Sequence, residues 1–119
     1  MTRERFRKHI RGLENEMMDM GCMVAGAVSR AVQTLKERDI VAAEKIVSDD
    51  VLINRKRWDT EEKCINLIAL QQPVASDLRE IIAILNIITD LERIGDYAEG
   101  IAKIVIMLGK EPLAKPLAD

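Results

Sequence analysis

From Phe6 onward the chain places an apolar or small residue at alternating steps of four and three: Phe6, Ile10, Leu13, Met17, Met20, Val24, Ala27, Ala31. That spacing returns every such position to one face of a helix, whereas a half-buried strand would alternate at every second residue. The first stretch therefore reads as a helix from about Arg3 to Lys36, with Glu14, Glu16, Arg30 and Lys36 off the apolar stripe. Gly12, Gly21 and Gly26 interrupt it. Each lowers helix stability by roughly 1 kcal/mol relative to Ala, and close approach of a neighbouring helix is their expected use.

Asp39, a good N-cap residue, opens a second helix that runs to about Gln71. Val47, Val51, Asn54, Trp58, Glu61, Ile65 and Ile68 repeat the four–three spacing and are taken as its packing seam. Pro73 stops this helix, because proline biases the residue before it away from helical dihedrals. A third helix enters at Ala75 or Ser76, with Asp77 and Glu80 near its positive end, and exits at Gly109. Its expected core stripe is Ile81, Leu85, Ile88, Leu91, Ile94, Ala98, Ile101, Val105 and Leu108. Short connections make neighbouring helices antiparallel. The fold class is all-α, an up-down-up antiparallel three-helix bundle over residues 1–109, and residues 110–119, with Pro112 and Pro116, form a linker-like tail.

The 119 residues suffice for one such domain, and its one Trp, one Tyr and one Phe leave an aliphatic core better suited to helices than to a β-sandwich. A net charge of −2 gives no bulk attraction to nucleic acid. Apolar runs fall short of the ~20 residues that cross a bilayer, and the basic start (Arg3, Arg5, Arg7, Lys8, Arg11) has no secretory apolar region. The expected location is cytoplasmic; the basic segment reads first as a solvated opening turn or two of helix, with contact to acidic lipid or an acidic partner as the alternative. Cys22 and Cys64 sit in helical patterns and are expected to be buried, reduced thiols; with the single His9 they make no zinc site.

No catalytic triad, phosphate-cradling glycine loop or basic-aromatic nucleic-acid surface can be assembled. The strongest chemical candidate is Glu92-Arg-Ile-Gly-Asp96. Carboxylates four apart project from one helix face and repel by a few tenths of a kcal/mol when exposed, an arrangement a hard cation would reverse. Glu99 and Lys103 extend the stripe, and a solvated acidic face with an ordinary Glu99–Lys103 ion pair is the competing reading. Asp50 and Asn54 form a second i, i+4 pair, in which Asn54 serves either helix register or ligation. Without a second His, a ferritin-like di-iron site is unsupported.

The stretch Leu67-Ile-Ala-Leu-Gln-Gln-Pro-Val-Ala-Ser-Asp-Leu-Arg79 followed by Thr89-Asp-Leu-Glu-Arg-Ile-Gly-Asp-Tyr97 resembles the PhoU family of phosphate-transport regulators. Asp50-Val-Leu-Ile-Asn54, Met20-Gly21 and Arg38-Asp39 match further elements of that pattern, so the resemblance covers nearly the whole chain. It implies a regulatory adaptor, not an enzyme, that signals phosphate sufficiency between the phosphate ABC transporter ATPase and a sensor histidine kinase and represses the starvation response. It implies two such bundles in tandem, so the tail would lead toward a second repeat. It implies metal ions, iron or zinc and possibly multinuclear, held by E/D-x-x-x-D motifs, which Glu92 and Asp96 match, with Asp50 and Asn54 as further ligands. Gly100 stands where relatives often carry Asn. A homo-oligomer, as a homodimer, is the expected assembly. A carboxylate-metal enzyme and a plain helical oligomerisation module remain the alternatives.

Overall fold

A computed structural model describes residues 1–109 as three α-helices: α1 Arg3–Glu37, α2 Ile40–Gln71 and α3 Ala75–Leu108. The expected tail, 110–119, lies outside the described residues. Local chemistry sets each boundary. Thr2 caps α1 by accepting from the Arg5 N–H at 3.1 Å, and Asp39 caps α2 by accepting from the Ala42 N–H at 3.0 Å. Two left-handed residues make the turns tight. Arg38 (φ 55°) and Gln72 (φ 44°) end α1 and α2, their N–H groups donating to the carbonyls of Thr34 and Ile68. Neither is glycine, so each carries the steric cost of the left-handed region. Arg38 also donates from its guanidinium to the Gly109 carbonyl at 3.2 Å, which ties the first turn to the end of α3.

The entry to α3 is fixed by charge. Asp77 in its first turn is buried, and Arg3 and Arg7 of α1 both donate to its carboxylate, Arg7 also reaching Glu80 at 2.5 Å. Hydrogen bonds from Arg3, and then its charge and Arg7, hold the Asp77 carboxyl below the usual carboxylate range. One end of the bundle is thereby pinned by an ion network.

The α1 stripe packs as its spacing predicts: Phe6, Ile10, Leu13, Met20, Val24, Ala27 and Ala31 are buried, and Met17 packs half-buried against them. In α3 the buried set is Ile81, Ile84, Ile88, Gly95, Ala98, Ala102 and Val105, with Leu85, Leu91 and Ile101 at its edge. Ile94, expected inside, is exposed.

The α2 seam is a correction. Its buried positions are Ala43, Ile46, Asp50, Ile53, Thr60, Cys64 and Leu67, whereas Val51, Trp58 and Ile65 are exposed and Val47, Asn54, Glu61 and Ile68 lie halfway. Two parallel four–three seams run along α2, offset by one residue or about 100° of helix rotation. The seam richer in large apolar residues is not the one against α1 and α3. Two smaller corrections follow. Cys64 is buried, its thiol pushed up to about 11 mainly by desolvation, but Cys22 is exposed. Gly12 and Gly21 have nothing within 4 Å of where a Cβ would stand, and Gly26 meets only the Arg30 side chain, so no neighbouring helix uses them.

Candidate functional site: the acidic joint of α2 and α3

Close helix approach does occur, at a glycine the apolar spacing gave no reason to single out. A Cβ on Gly95 would stand 3.3 Å from Ile53 Cγ2 and 3.7 Å from Asp50 Oδ1. The glycine inside Glu92-Arg-Ile-Gly-Asp96 thus lets α2 lay the Asp50 carboxylate against the backbone of α3. Asn54 donates to Asp50 Oδ2 at 3.4 Å, so the second sequence pair is a real contact.

Burial raises the Asp50 carboxyl to about 6, and a hydrogen bond with Glu99 and the charges of Glu99 and Asp96 push the same way. Glu99 moves oppositely, held low first by Lys103, whose ammonium lies 2.8 Å from it. Asp50, Glu99 and Lys103 thus act as one electrostatic unit, in which Glu99 favours the protonated form of Asp50 and the Lys103 ammonium favours the ionised form of Glu99. The Glu99–Lys103 ion pair anticipated as the competing reading is therefore present, and it sits inside this unit rather than on a bland face. Behind Asp50 lies a cavity of about 260 Å³ that Cys22, Met23, Arg30 and Asp49 also line.

Glu92 goes elsewhere. It lies 3.7 Å from Arg57 of α2, which also binds Glu61 at 3.0 Å and stacks 4.5 Å over the Trp58 ring. The sequence pair Glu92 and Asp96 is divided between two groups, Asp96 beside Asp50 and Glu92 with a guanidinium. Arg57 was not singled out from sequence. Its signal is a seven-residue step from Asp50, on the same face two turns on, opposite a carboxylate on the next helix. Arg57 Nε and Thr60 Oγ1 are buried with no hydrogen-bond partner among the described residues.

Among the described residues no group of three or more His, Cys, Asp or Glu side chains gathers as a metal cage. The oxygens that do meet are those of the Asp50 and Glu99 carboxyls, with Asp96 acting on Asp50 through its charge, while Asn54 turns its amide N–H toward Asp50. That chemistry suits a hard cation in an open shell completed by other oxygen ligands, and it suits zinc poorly. His9, the one imidazole, is on α1 in a different groove.

The architecture and this joint define an all-α bundle module with an open, oxygen-rich polar seam between two helices. The PhoU domain family matches residues 17–105, and the chain belongs to that family. It is 38% identical over 112 residues to the phosphate-specific transport system accessory protein PhoU homolog of Aquifex aeolicus, covering 94% of this chain and 51% of that protein. The protein of the same description from Clostridium acetobutylicum is 40% identical, covering 93% and 51%. The crystal structure of the phosphate transport system regulatory protein PhoU from Streptococcus pneumoniae superposes with a TM-score of 0.86 at 37% identity, over 92% of this chain and 52% of that one. The structure of PhoU from Pseudomonas aeruginosa gives 0.83 at 36%, over 87% and 49%. The chain spans about half the length of the curated relatives it matches. No described helix is long and apolar enough to cross a membrane.

Proposed function

We propose that this chain acts as a non-enzymatic regulatory adaptor of phosphate uptake, signalling phosphate sufficiency between the phosphate ABC transporter ATPase and a sensor histidine kinase and so repressing the starvation response. The observation that carries the reading is the family match across residues 17–105, most of the bundle, to accessory proteins of phosphate-specific transport. The reading places it in the cytoplasm, against the membrane-bound transporter through protein contacts, with peripheral contact of its basic first turns to the membrane. Homo-oligomerisation is assigned to the exposed second seam of α2, where Val51, Trp58 and Ile65 form an apolar strip.

Metal binding is part of the proposal. Asp50, Asn54, Asp96 and Glu99 supply the donors at the joint, and Glu92 joins them only by leaving Arg57. A hard cation there neutralises the negative charges of Glu99 and Asp96, which together with burial raise the proton affinity of Asp50. The separation of His9 from these acids disfavours a histidine-assisted metal enzyme.

The test joins two measurements on the intact protein. Binding to the purified transporter ATPase and kinase is measured by interferometry, and metal content by plasma mass spectrometry for the wild type and for Glu92→Gln with Asp96→Asn. Binding to either component is expected, with stoichiometric metal lost in the double variant. Failure to bind either component sinks the adaptor reading; equal metal content in both proteins sinks the assigned metal site.

A further inference from the structure

A second cavity lies away from the acidic joint. It is a groove of about 740 Å³ between the first half of α1 and the last turns of α2. Its floor is the buried pair Leu13 and Leu67, and Leu70, 77% exposed, stands at the rim. Arg5, Lys8, His9 and Lys63 line its walls, against one carboxylate, Glu16. Glu16 is already neutralised by Lys63 at 2.7 Å and Lys56 at 3.7 Å. The side chains of Arg5, Lys8 and His9 have no partner among the described residues. In a chain of net charge −2 this groove is locally cationic, and it ends beyond Lys63 where Asp59 and Glu62 begin.

A second observation lies at the middle of the groove. Gly12 sits on the α1 wall, and no atom lies within 4 Å of where its Cβ would be. A mid-helix glycine costs about 1 kcal/mol relative to Ala, and nothing inside this chain uses the space it leaves. The notch suits close approach by a molecule from outside.

We infer that the α1–α2 groove docks an acidic amphipathic helix of a protein partner, its apolar stripe on Leu13, Leu67 and Leu70 and its carboxylates against Arg5, Lys8 and Lys63. The groove from Arg5 to Glu16 is about 16 Å long at 1.5 Å per residue, the length of three helical turns. A straight trough between two antiparallel helices takes a third helix in the way helix-in-groove binders do. Charge complementarity selects the acidic partner and sets its encounter rate. The inference deepens the adaptor reading, which requires the chain to seat protein partners.

The test uses a fluorescein-labelled, staple-constrained peptide with leucines on one helical face and glutamates elsewhere, beside a scrambled peptide of the same composition. Anisotropy titration of the whole chain should show saturable binding of the first and not the second. Arg5→Glu with Lys8→Glu, and separately Gly12→Leu, should each weaken it by about tenfold or more, with binding falling as salt rises. Gly12→Leu adds helix propensity, so loss of binding there is not loss of fold; thermal melting of each variant checks this. Absence of peptide binding, equal binding of the scrambled peptide, or affinity unchanged in both variants overturns the proposal. So does variant-sensitive binding to phosphatidylserine vesicles alone, which assigns the groove to a membrane surface. Self-association abolished by Gly12→Leu assigns it to a second copy and also overturns it. The titration reads the groove without reference to phosphate, whereas the transporter and kinase binding assay reads the adaptor role, so each can fail while the other stands.

Discussion

Asp50→Asn should stabilise the metal-free bundle, and the amount should depend on pH. The Asp50 carboxyl rises from 3.8 to about 6 on folding, chiefly because it is desolvated and faces Glu99. At about 1.4 kcal/mol per pH unit, that corresponds to a native-state penalty of about 3 kcal/mol at pH 7. The cavity bordering Asp50 admits water and screens part of this, so about 1–2 kcal/mol is the expected gain. The sign follows from proton counts. Between about pH 4 and 6 the folded chain holds a proton that the unfolded chain has lost, so the penalty grows as pH rises through that window and is complete above it. An amide at this position carries none of the penalty and can still donate to Glu99. Thermal denaturation in chelator-containing buffer should therefore show the variant more stable at pH 7.5, by roughly 5–10 °C in melting temperature. At pH 4.5 the gain should shrink to about one-third of that value. A variant no more stable than wild type at pH 7.5, or a gain equal at both pH values, would refute the assignment of Asp50 as a buried carboxyl sharing a proton with Glu99.

Gly12→Ala and Gly21→Ala should each raise stability by about 0.5–1 kcal/mol, since both are helical with open space at the Cβ position. Gly95→Ala should gain less or lose, because the new methyl meets Ile53 at 3.3 Å; a thermal melt of the three variants reads the contrast. Asp77→Asn should destabilise the neutral protein and leave it less sensitive to acid. The depressed Asp77 carboxyl contributes stability above its ordinary pKa, and the contribution disappears as pH falls through the folded value; circular-dichroism melts across pH 3–7 report it. Iodoacetamide should label Cys22 at once and Cys64 only on unfolding, since Cys64 is buried and its thiol is raised to about 11; mass spectrometry of tryptic peptides distinguishes the two.

The α1 helix was legible because a single seam competes for the core: its polar residues leave only one continuous apolar face. The α2 helix offers two seams. Val47, Val51, Trp58, Ile65 and Ile68 make the outer one the more apolar, while the inner one carries Asp50, Arg57 and Thr60. Intrinsic patterning favours the outer seam, and the inner one wins because its polar members find partners on α3: Glu99 for Asp50 and Glu92 for Arg57. Those partners are more than thirty residues away in sequence, so no local spacing rule can reveal them. The same cause split the carboxylate pair. Glu92 and Asp96 share a face of α3, as four-residue spacing requires, but α2 presents a guanidinium to one and a carboxyl to the other.

This inversion bears on mechanism. At the α2–α3 joint the buried Asp50 and the half-buried Arg57, Glu92 and Glu99 are ionisable, while large apolar side chains on the adjacent α2 face stand in solvent. Exchanging the two would bury more apolar area at about 25 cal/mol per Å², so the arrangement does not maximise the stability of the isolated bundle. It instead makes the packing of α2 on α3 depend on the charge state of Asp50 and Glu99. The exposed face of α2 is carried by the same rigid helix, one residue of register away from those carboxyls. A cation or proton that changes the joint must act on the helix that presents Val51, Trp58 and Ile65. Differential affinity of a ligand for two settings of one helix is the physical requirement for coupling a site to a surface.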